Sequence, residues 1–417
     1  MIIGKYDEMG YWKVLLLLLF FLALFEFNPI MPSKPTIIDY PLLLSLVLIS
    51  SVYIQFRECY SKLILLYLIF VFLSCVYSHY ANEQNFLAVV AHSYPYLSLM
   101  FFYYLLGTNI SYKEAENVLI TLAIICCFCY IIQWIVYPNI VFHGAYAHAD
   151  ARTGIYRVRI PGSICCYCLF FYGINKFVQG NGVKNLLFSL LGFLPIIIQG
   201  FRTLTLLSVI FGFCMIQLIN KKTVKTIYYS IMISIIAFVL IQLPIVQSKI
   251  NEMIDRQTSG ETFSNSEYVR LKEIDYYWNE QFKDPLEKIM GGGEPTDSKT
   301  KYAKQIYGYA YSHGLYWDDW GLIGLSWIIG IPAVSLLVAL YLLSIYKLSN
   351  RNFQYLRFTL IVVLLGSFTT AELFRKGNIL IFSLILYINY RYYKEKKQQA
   401  LIRKVREAFN RSINSLE

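Results

Sequence analysis

Apolar runs long enough to cross a lipid bilayer recur along most of this 417-residue chain. A helix that crosses the hydrocarbon core needs about 20 mainly apolar residues, with a range of about 17 to 25. By this measure the pattern predicts twelve spans, near residues 11–28, 39–56, 62–80, 86–107, 117–138, 160–179, 185–200, 202–219, 226–247, 320–346, 355–373 and 378–393. Because the runs are continuous rather than alternating, they predict an all-α polytopic membrane helix bundle and exclude a transmembrane β-barrel.

The orientation of the bundle follows from Lys and Arg in the short connections, because cytoplasmic loops are enriched in both. With the N-terminus inside, the predicted cytoplasmic connections contain Arg57, Lys62, Lys113, Lys176, Lys184, Lys221, Lys222, Lys225, Lys347, Arg351 and Arg357. Twelve spans then place both termini in the cytoplasm. The predicted organisation is nine spans in 1–247, a large external loop in 248–317, three spans in 318–393 and a basic cytoplasmic tail in 394–417. Residues 400–408 of this tail are expected to form an amphipathic helix at the anionic inner leaflet.

Composition supports a membrane protein and excludes several other classes. Hydrophobic residues make up 57% of the chain and charged residues 15%, against about 25% charged in soluble proteins. The net charge of +11 is scattered between apolar runs, which argues against nucleic acid as a partner. Two cysteine clusters, 126–129 and 165–168, lie inside apolar runs and are expected to be packing residues rather than metal ligands. The run from Val14 to Phe25 lacks a small-residue cleavage site, so we expect a first span rather than a signal peptide.

The 248–317 segment is too long and too polar to be a simple connector, and loops of this length are usually functional or disordered. It contains charges of both signs and a turn-forming run at 291–295. Its aromatic residues predict a folded loop: Phe263, Tyr268, Tyr276, Tyr277, Trp278 and Phe282.

Several basic residues lie on the external side, where short loops should be poor in Lys and Arg. They are Arg152, Arg157, Arg159, Arg202, Arg375 and Lys376. Burying a charged side chain at membrane depth costs about 3 kcal/mol unless the charge is paired or hydrated. The guanidinium fork suits bidentate contact with phosphate. The alternatives are snorkelling to lipid headgroups or, for Arg375, a salt bridge to Glu372.

A second signal lies at the end of the large loop, where His313 precedes Asp318 and Asp319. Histidine titrates near neutrality and suits a general base, and a nearby carboxylate can orient it. The alternatives are an interfacial histidine in an aromatic belt and aspartates that cap the next helix.

The order of these elements resembles that of the O-antigen polymerase and O-antigen ligase superfamily of bacterial envelope proteins. The similarity covers residues 155–330. Four elements carry it: Arg159-Ile160-Pro161-Gly162-Ser163; Arg202-Thr203-Leu204; Arg270 and Trp278 with Pro285 and Gly291-Gly292-Gly293; and His313-Gly314-Leu315 through Asp319-Trp320-Gly321-Leu322-Ile323-Gly324. One departure is Gly314, which stands where the family usually has asparagine.

The resemblance implies substrates in which a glycan is linked through pyrophosphate to undecaprenol. It implies that Arg202 and Arg270, supported by Arg159, stabilise the leaving pyrophosphate, and that His313 is the base, oriented by Asp319 or Asp318. No metal or cofactor is expected; His143, His148 and Asp150 are the nearest approach to a metal site. Tyr277, Trp278 and Tyr311 are candidate glycan contacts, with loop core as the alternative.

Three functions remain open at this point. The first is a metal-independent glycosyltransferase that polymerises repeat units of O-antigen or capsular polysaccharide at the outer face of the bacterial inner membrane. The second is a ligase that transfers finished glycan to the lipid A core. The third, from another class, is a transporter or flippase for the same lipid-linked sugar, although the chain shows no internal repeat. Membrane lipids, a chain-length regulator and a flippase are the expected partners.

Overall fold

The computed structural model describes residues 50–54, 59–142, 146–149, 156–180, 182–219, 247, 251, 269–282, 284–296, 299–375 and 377–414. The predicted spans near 11–28, 39–56 and 226–247 lie wholly or mostly outside these residues. Arg152, Lys376 and the side chain of Arg157 also lie outside them.

Helices account for about 80% of the described residues, in agreement with the all-α prediction. They are α1 (Cys59–Asn82), α2 (Phe86–His92), α3 (Tyr94–Thr108), α4 (Tyr112–Ile135), α5 (Ile164–Val178), α6 (Lys184–Ile198), α7 (Arg202–Ile219), α8 (Val269–Asp275), α9 (Pro285–Met290), α10 (Lys301–Ala303), α11 (Leu322–Ile329), α12 (Ile331–Lys347), α13 (Gln354–Gly366) and α14 (Asn378–Asn414). Short π and 3₁₀ turns cover Tyr276–Gln281, Lys304–Ala310, Tyr311–His313, Trp317–Trp320 and Arg351–Phe353. Two strands, β1 (Tyr146–Ala149) and β2 (Tyr156–Arg159), pair antiparallel before α5.

Three described helices are long and apolar enough to cross a membrane: α1 from Tyr60 onward, α4 and α7. The bent pair α2 and α3 makes a fourth if it is one span. α5, α6 and α12 are apolar but shorter. The structure therefore supports membrane-crossing helices in an all-α fold, whereas a bundle of twelve spans is not confirmed.

Backbone breaks explain most of the difference from the predicted spans. The run 86–107 bends by 60° at Ser93, because Pro95 lacks the N–H that would continue the helix from α2. The run 320–346 is split at Gly330, whose φ of +86° ends α11 and begins α12. The run 355–373 ends as a helix at Gly366 and continues as an irregular segment, which we call the 367–377 loop.

The antiparallel hairpin of α5 and α6 positions two later elements of the site. The helices approach so closely that a Cβ at Gly192 would lie 2.4 Å from the Phe170 backbone nitrogen. A Cβ at Gly173 would lie 2.3 Å from the Ser189 nitrogen. Because the helices run in opposite directions, this contact brings the start of α5, after Arg159, beside the end of α6.

The glycine run of the large loop is inserted among the helices. The Gly292 N–H donates to the Trp327 carbonyl at 2.7 Å, and the Gly293 N–H donates to the Ile328 carbonyl at 2.9 Å. These two bonds join the loop to the last turn of α11. Gly293 has a φ of +76°, a left-handed conformation that costs other residues free energy.

Aromatic side chains form the core of the described part of the loop, while the predicted core residues Phe263 and Tyr268 lie outside that part. Tyr277 is fully buried and stacks on Trp327 with 4.7 Å between ring centroids. Phe282 packs against both rings and against Tyr302, whose hydroxyl donates to the Gly293 carbonyl at 2.9 Å. The loop therefore shares its core with α11.

The last described element is a 37-residue helix, α14, which begins at the buried Asn378 and continues into the basic tail. The helix predicted for 400–408 is therefore present, and Leu401, Ile402 and Val405 on it are exposed. Arg403 forms an ion pair with Glu407 at 2.8 Å, one turn apart.

A methyl group at Gly293 should destabilise the junction between loop and helices. The added Cβ would lie 2.4 Å from Ser78 Oγ at a positive φ, so Gly293→Ala should cost about 2 kcal/mol or more. We expect a lower apparent melting temperature in detergent. In the control, Gly308→Ala, the new Cβ meets nothing within 4 Å and should leave melting unchanged. Equal melting of the two variants would contradict the tight junction.

Candidate functional site

Two arginines from distant parts of the chain meet on one aromatic ring. The Cζ atom of Arg159, at the end of β2, lies 5.0 Å from the centroid of Phe201. The Cζ atom of Arg375, in the 367–377 loop, lies 4.9 Å from the same centroid. A guanidinium within about 6 Å of a ring is attracted by the negative face of the π system. We call Arg159, Phe201 and Arg375, together with the adjacent Arg202, the arginine cluster.

Tyr130 on α4 fixes the backbone beside Arg159. Its hydroxyl donates to the Ile160 carbonyl at 2.9 Å and accepts from the Ile160 N–H at 3.1 Å. Ile160 is fully buried, so the segment between β2 and α5 is anchored at both its backbone and its side chain. This segment delivers Arg159 to the end of α6.

Arg375 is held by a buried ion pair. Its Nη1 lies 3.0 Å from Oε2 of Glu372, which is fully buried. Ser163 donates a hydrogen bond to the other oxygen of this carboxylate, and the Asn378 amide donates to Ser163 Oγ at 3.1 Å. The alternative that the sequence left open for Arg375, a salt bridge to Glu372, is present. The Arg375 guanidinium contacts Phe201 as well as Glu372, so Arg375 belongs to the arginine cluster although it is ion-paired.

Arg202 is the first residue of α7 and directly follows Phe201. Helix N-termini carry unsatisfied N–H groups and a partial positive charge, which favour anions rather than cations. An arginine at this position therefore increases an already positive potential. Phosphate groups bind readily at such helix ends.

Arg270 on α8 contacts the same loop that carries Arg375. Its Nη2 donates to the Thr369 carbonyl at 3.4 Å, and the Trp320 indole donates to the Arg270 carbonyl at 2.7 Å. Arg270 therefore contacts the 367–377 loop directly. Arg159 and Phe201 are linked to this loop by the contact of Arg375 with the Phe201 ring.

Asp318 lies beside the 367–377 loop, because the neighbouring Trp317 stacks on Phe374 with 5.6 Å between ring centroids. It lies half-buried in the 3₁₀ turn Trp317–Trp320. Burial and the neighbouring Asp319 raise the pKa of Asp318 above its ordinary value, although Arg159 and Arg375 act in the opposite direction.

Glu273 on α8 is a site residue that the sequence analysis missed. It is fully buried, and one carboxyl oxygen accepts from the Tyr316 N–H at 3.1 Å. Its other oxygen is buried without a hydrogen-bond partner among the described residues. Burial and Asp319 raise its pKa to about 8, so the carboxyl is mostly protonated at neutral pH. In the sequence, the only indication of Glu273 was its position on the same helix as Arg270.

The structure places His313 apart from the aspartates. The His313 side chain is exposed, and its Nδ1 lies 2.7 Å from the Tyr309 carbonyl, which can only accept. Its ring lies 4.3 Å from that of Tyr309, and Ser312 Oγ is 3.2 Å from Nδ1. Within the described ranges, His313 has no hydrogen bond or ion pair with Asp318 or Asp319.

The candidate glycan contacts differ in exposure. Tyr277 is fully buried and donates its hydroxyl to the Leu315 carbonyl at 3.0 Å, which makes it part of the loop core in this conformation. Trp278 is 37% exposed, with the Lys288 Nζ 4.7 Å from its ring centroid. Tyr311 is half-buried between Tyr307 and Tyr316.

Among the residues that the structure describes, no three His, Cys, Asp or Glu side chains are arranged to hold a metal ion. The side chains of His143, His148 and Asp150 lie outside that part of the chain. The two cysteine clusters, on α4 and α5, are buried free thiols.

Removing one member of the buried ion pair should be more damaging than removing both. Glu372→Ala leaves the Arg375 guanidinium without its carboxylate, at a cost of about 3–5 kcal/mol. In the double variant Glu372→Ala/Arg375→Met no charge is stranded, so its melting temperature in detergent should lie well above that predicted by adding the two single effects. If the losses in melting temperature of the two single variants add up to that of the double variant, Glu372 and Arg375 have no coupling free energy.

The buried carboxyl of Glu273 should make stability depend on pH. Its folded-state pKa of about 8 exceeds the unfolded value near 4.5, so the unfolded state loses its proton first as pH rises. The contribution of Glu273 to stability is therefore fully present below about pH 4.5 and is lost as the pH rises to about 8. Glu273→Gln should remove this slope from a plot of melting temperature against pH, whereas the exposed Glu280→Gln should retain it. Parallel curves for wild type and Glu273→Gln would contradict the assignment.

Comparison with protein-family models and with curated proteins finds no match to this chain. Its function is therefore inferred from its own residues, above all from the two guanidinium groups that meet on Phe201.

Proposed function

We propose that the protein is a metal-independent membrane glycosyltransferase. It polymerises undecaprenyl-pyrophosphate-linked oligosaccharide repeat units into O-antigen or capsular polysaccharide, as the polymerases that its sequence resembles do. The observation that carries the proposal is the contact of both Arg159 and Arg375 with Phe201, at the N-terminus of α7.

Pyrophosphate is the leaving group in this reaction, and its developing charge must be neutralised. Arginines and a helix N-terminus supply fixed positive charge where a metal ion would otherwise do so. In the proposed site, Arg159 and Arg202 bind the pyrophosphate, and Arg375 adds a third guanidinium to which the family resemblance gave no role. Arg270 supports them from α8, where its side chain donates to the Thr369 carbonyl of the 367–377 loop at 3.4 Å.

The acceptor in this reaction is a sugar hydroxyl of another repeat unit. The large loop presents exposed aromatic rings, including Trp278, Tyr309 and Tyr316, that suit stacking on sugar rings. Tyr311 lies beside Tyr316 and extends this aromatic surface. A base must take the hydroxyl proton as the oxygen attacks the anomeric carbon. The chain offers two such groups near the end of the loop, His313 and Asp318.

The three spans found among the described helices fit a lipid-linked substrate that reaches the site from the bilayer. We place the protein in the bacterial inner membrane, with both termini in the cytoplasm and the loop on the outer face. A flippase that delivers repeat units and a chain-length regulator are the proposed partners.

Glycan analysis in bacteria that lack this gene tests the proposal. Complementation with wild type should restore a ladder of polymer lengths, whereas Arg159→Ala or Arg202→Ala should leave a single repeat unit. We expect activity to fall on the order of 10²-fold, since each arginine stabilises charge that develops in the transition state. The control, Lys301→Ala, removes an exposed charge from the large loop and should restore the full ladder.

Other glycan patterns would overturn the proposal. Long chains that remain on the lipid carrier in the knockout would identify a ligase. Single repeat units trapped on the cytoplasmic side would identify a flippase. A full ladder from both arginine variants at normal protein levels would remove the arginine cluster from the reaction.

A further inference from the structure

Two apolar helices, α1 and α12, run in opposite directions through the same layer of the fold. The Nζ atom of Lys347, the last residue of α12, lies 4.4 Å from the ring centroid of Tyr60, where the apolar span of α1 begins. Further along α1, Ser74 Oγ donates to the Ile328 carbonyl at 2.8 Å, just before α12 begins at Ile331. The start of α12 therefore lies toward the end of the α1 span that is opposite to Tyr60.

The short helix α9 of the large loop lies at that same end of the layer. Asn82, the last residue of α1, donates its side-chain amide to the Gly292 carbonyl at 2.9 Å, just after α9. A Cβ at Gly330, which precedes α12, would lie 2.4 Å from the Ile289 carbonyl oxygen. The 23-residue span of α1 is about 34 Å long, slightly more than the hydrocarbon thickness of about 30 Å. α9 therefore lies near the boundary between acyl chains and headgroups.

α9 has an apolar side and a polar side. Leu286 and Ile289 are three residues apart, which places them on the same side of the helix, and they are 48% and 45% exposed. Glu287 and Lys288 occupy the opposite side. Ile331, the first residue of α12, is 40% exposed. The exposed apolar surface of α9 therefore lies beside an exposed apolar residue of the neighbouring membrane helix.

A tryptophan and a lysine accompany this apolar surface. The Nζ atom of Lys288 lies 4.7 Å from the ring centroid of Trp278, which is partly exposed. Tryptophan is enriched at membrane–water interfaces, and lysine extends its ammonium group toward lipid headgroups. An apolar side accompanied by these two residue types is typical of a helix that lies in the plane of the interface.

Lipid fits the exposed side of α9 better than a second protein does. A stable protein interface buries about 800 Å² on each partner, far more than two half-exposed side chains provide. Lipid requires no such area, because the Asn82 bond and the two backbone bonds from Gly292 and Gly293 to α11 already hold the end of α9 at this depth. Acyl chains also cover the membrane helices on either side.

We propose that α9 is an interfacial anchor, which inserts Leu286 and Ile289 among lipid acyl chains and fixes the large loop to the bilayer surface. Trp278 and Lys288 lie at the level of the headgroups. The large loop is then held both by the backbone of α11 and by lipid. This anchor does not depend on the proposed function, because it follows from the positions of α1, α9 and α12 alone.

Fluorescence quenching with the full chain in phosphatidylcholine vesicles tests the anchor. A fluorescent amino acid replaces Ile289 or, as the control, the exposed Glu280 of the same loop. Bromine atoms on the acyl chains should quench the probe at position 289, and more strongly when they are near the headgroups than near the chain ends. Iodide in the water should quench the probe at position 280 and leave the probe at position 289 bright.

Leu286→Asp separates anchoring from folding. Because about half of the Leu286 side chain is exposed, its loss removes little core contact and should leave the melting temperature in detergent nearly unchanged. In vesicles the new charge disfavours the acyl-chain region, so the probe at position 289 should lose quenching by bromine and gain quenching by iodide. Leu286→Met, which stays apolar, should retain the wild-type pattern.

Three results would overturn the anchor. Quenching of the probe at position 289 by iodide and not by brominated lipid would place α9 in water. An unchanged quenching pattern in Leu286→Asp would remove the apolar side of α9 from the attachment. A photoreactive amino acid at position 289 should form an adduct with lipid, and a cross-link between two copies of the chain would assign this surface to a protein interface.

Discussion

The ion pair of Glu372 and Arg375, both withdrawn from water, is the interaction on which the centre of this structure depends. Burying either ion alone costs several kcal/mol (about 3–5), so the 367–377 loop is restricted to arrangements that keep both together. Ser163 and Asn378, at the starts of α5 and α14, bind the same carboxylate. The geometry of the arginine cluster follows from this pair, because Arg375 reaches Phe201 only from this loop.

Much of the helical structure was predictable because apolar runs of sufficient length have few alternatives in a bilayer. The predicted span at 202–219 coincides with α7, and those near 117–138 and 185–200 are displaced by only a few residues. The breaks at Ser93 and Gly330 were not foreseen. They depend on Pro95 and on the insertion of the glycine run beside α11, a contact between segments far apart in sequence that local hydropathy does not record.

Candidate site residues could be recognised in the sequence where a basic residue lay between apolar runs on the predicted external side. Arg159, Arg202 and Arg375 stood out in this way, whereas Arg270 was named only through the family resemblance. The structure brings Arg159 together with Arg375, to which the resemblance gave no role. Glu273 could not be recognised, because a carboxylate in a polar helix resembles any exposed one until its burial is known. For the same reason, the aromatic residues of the large loop could not be divided in advance into core and surface.

The insertion of Gly292 and Gly293 beside α11 has a consequence for how the large loop can open. A loop attached only at its ends moves as one lid, but this loop is also attached near its middle. It therefore consists of two shorter arcs, one with Arg270 and the other with His313. Each arc has a smaller contour length than the whole and less conformational entropy to lose on closing.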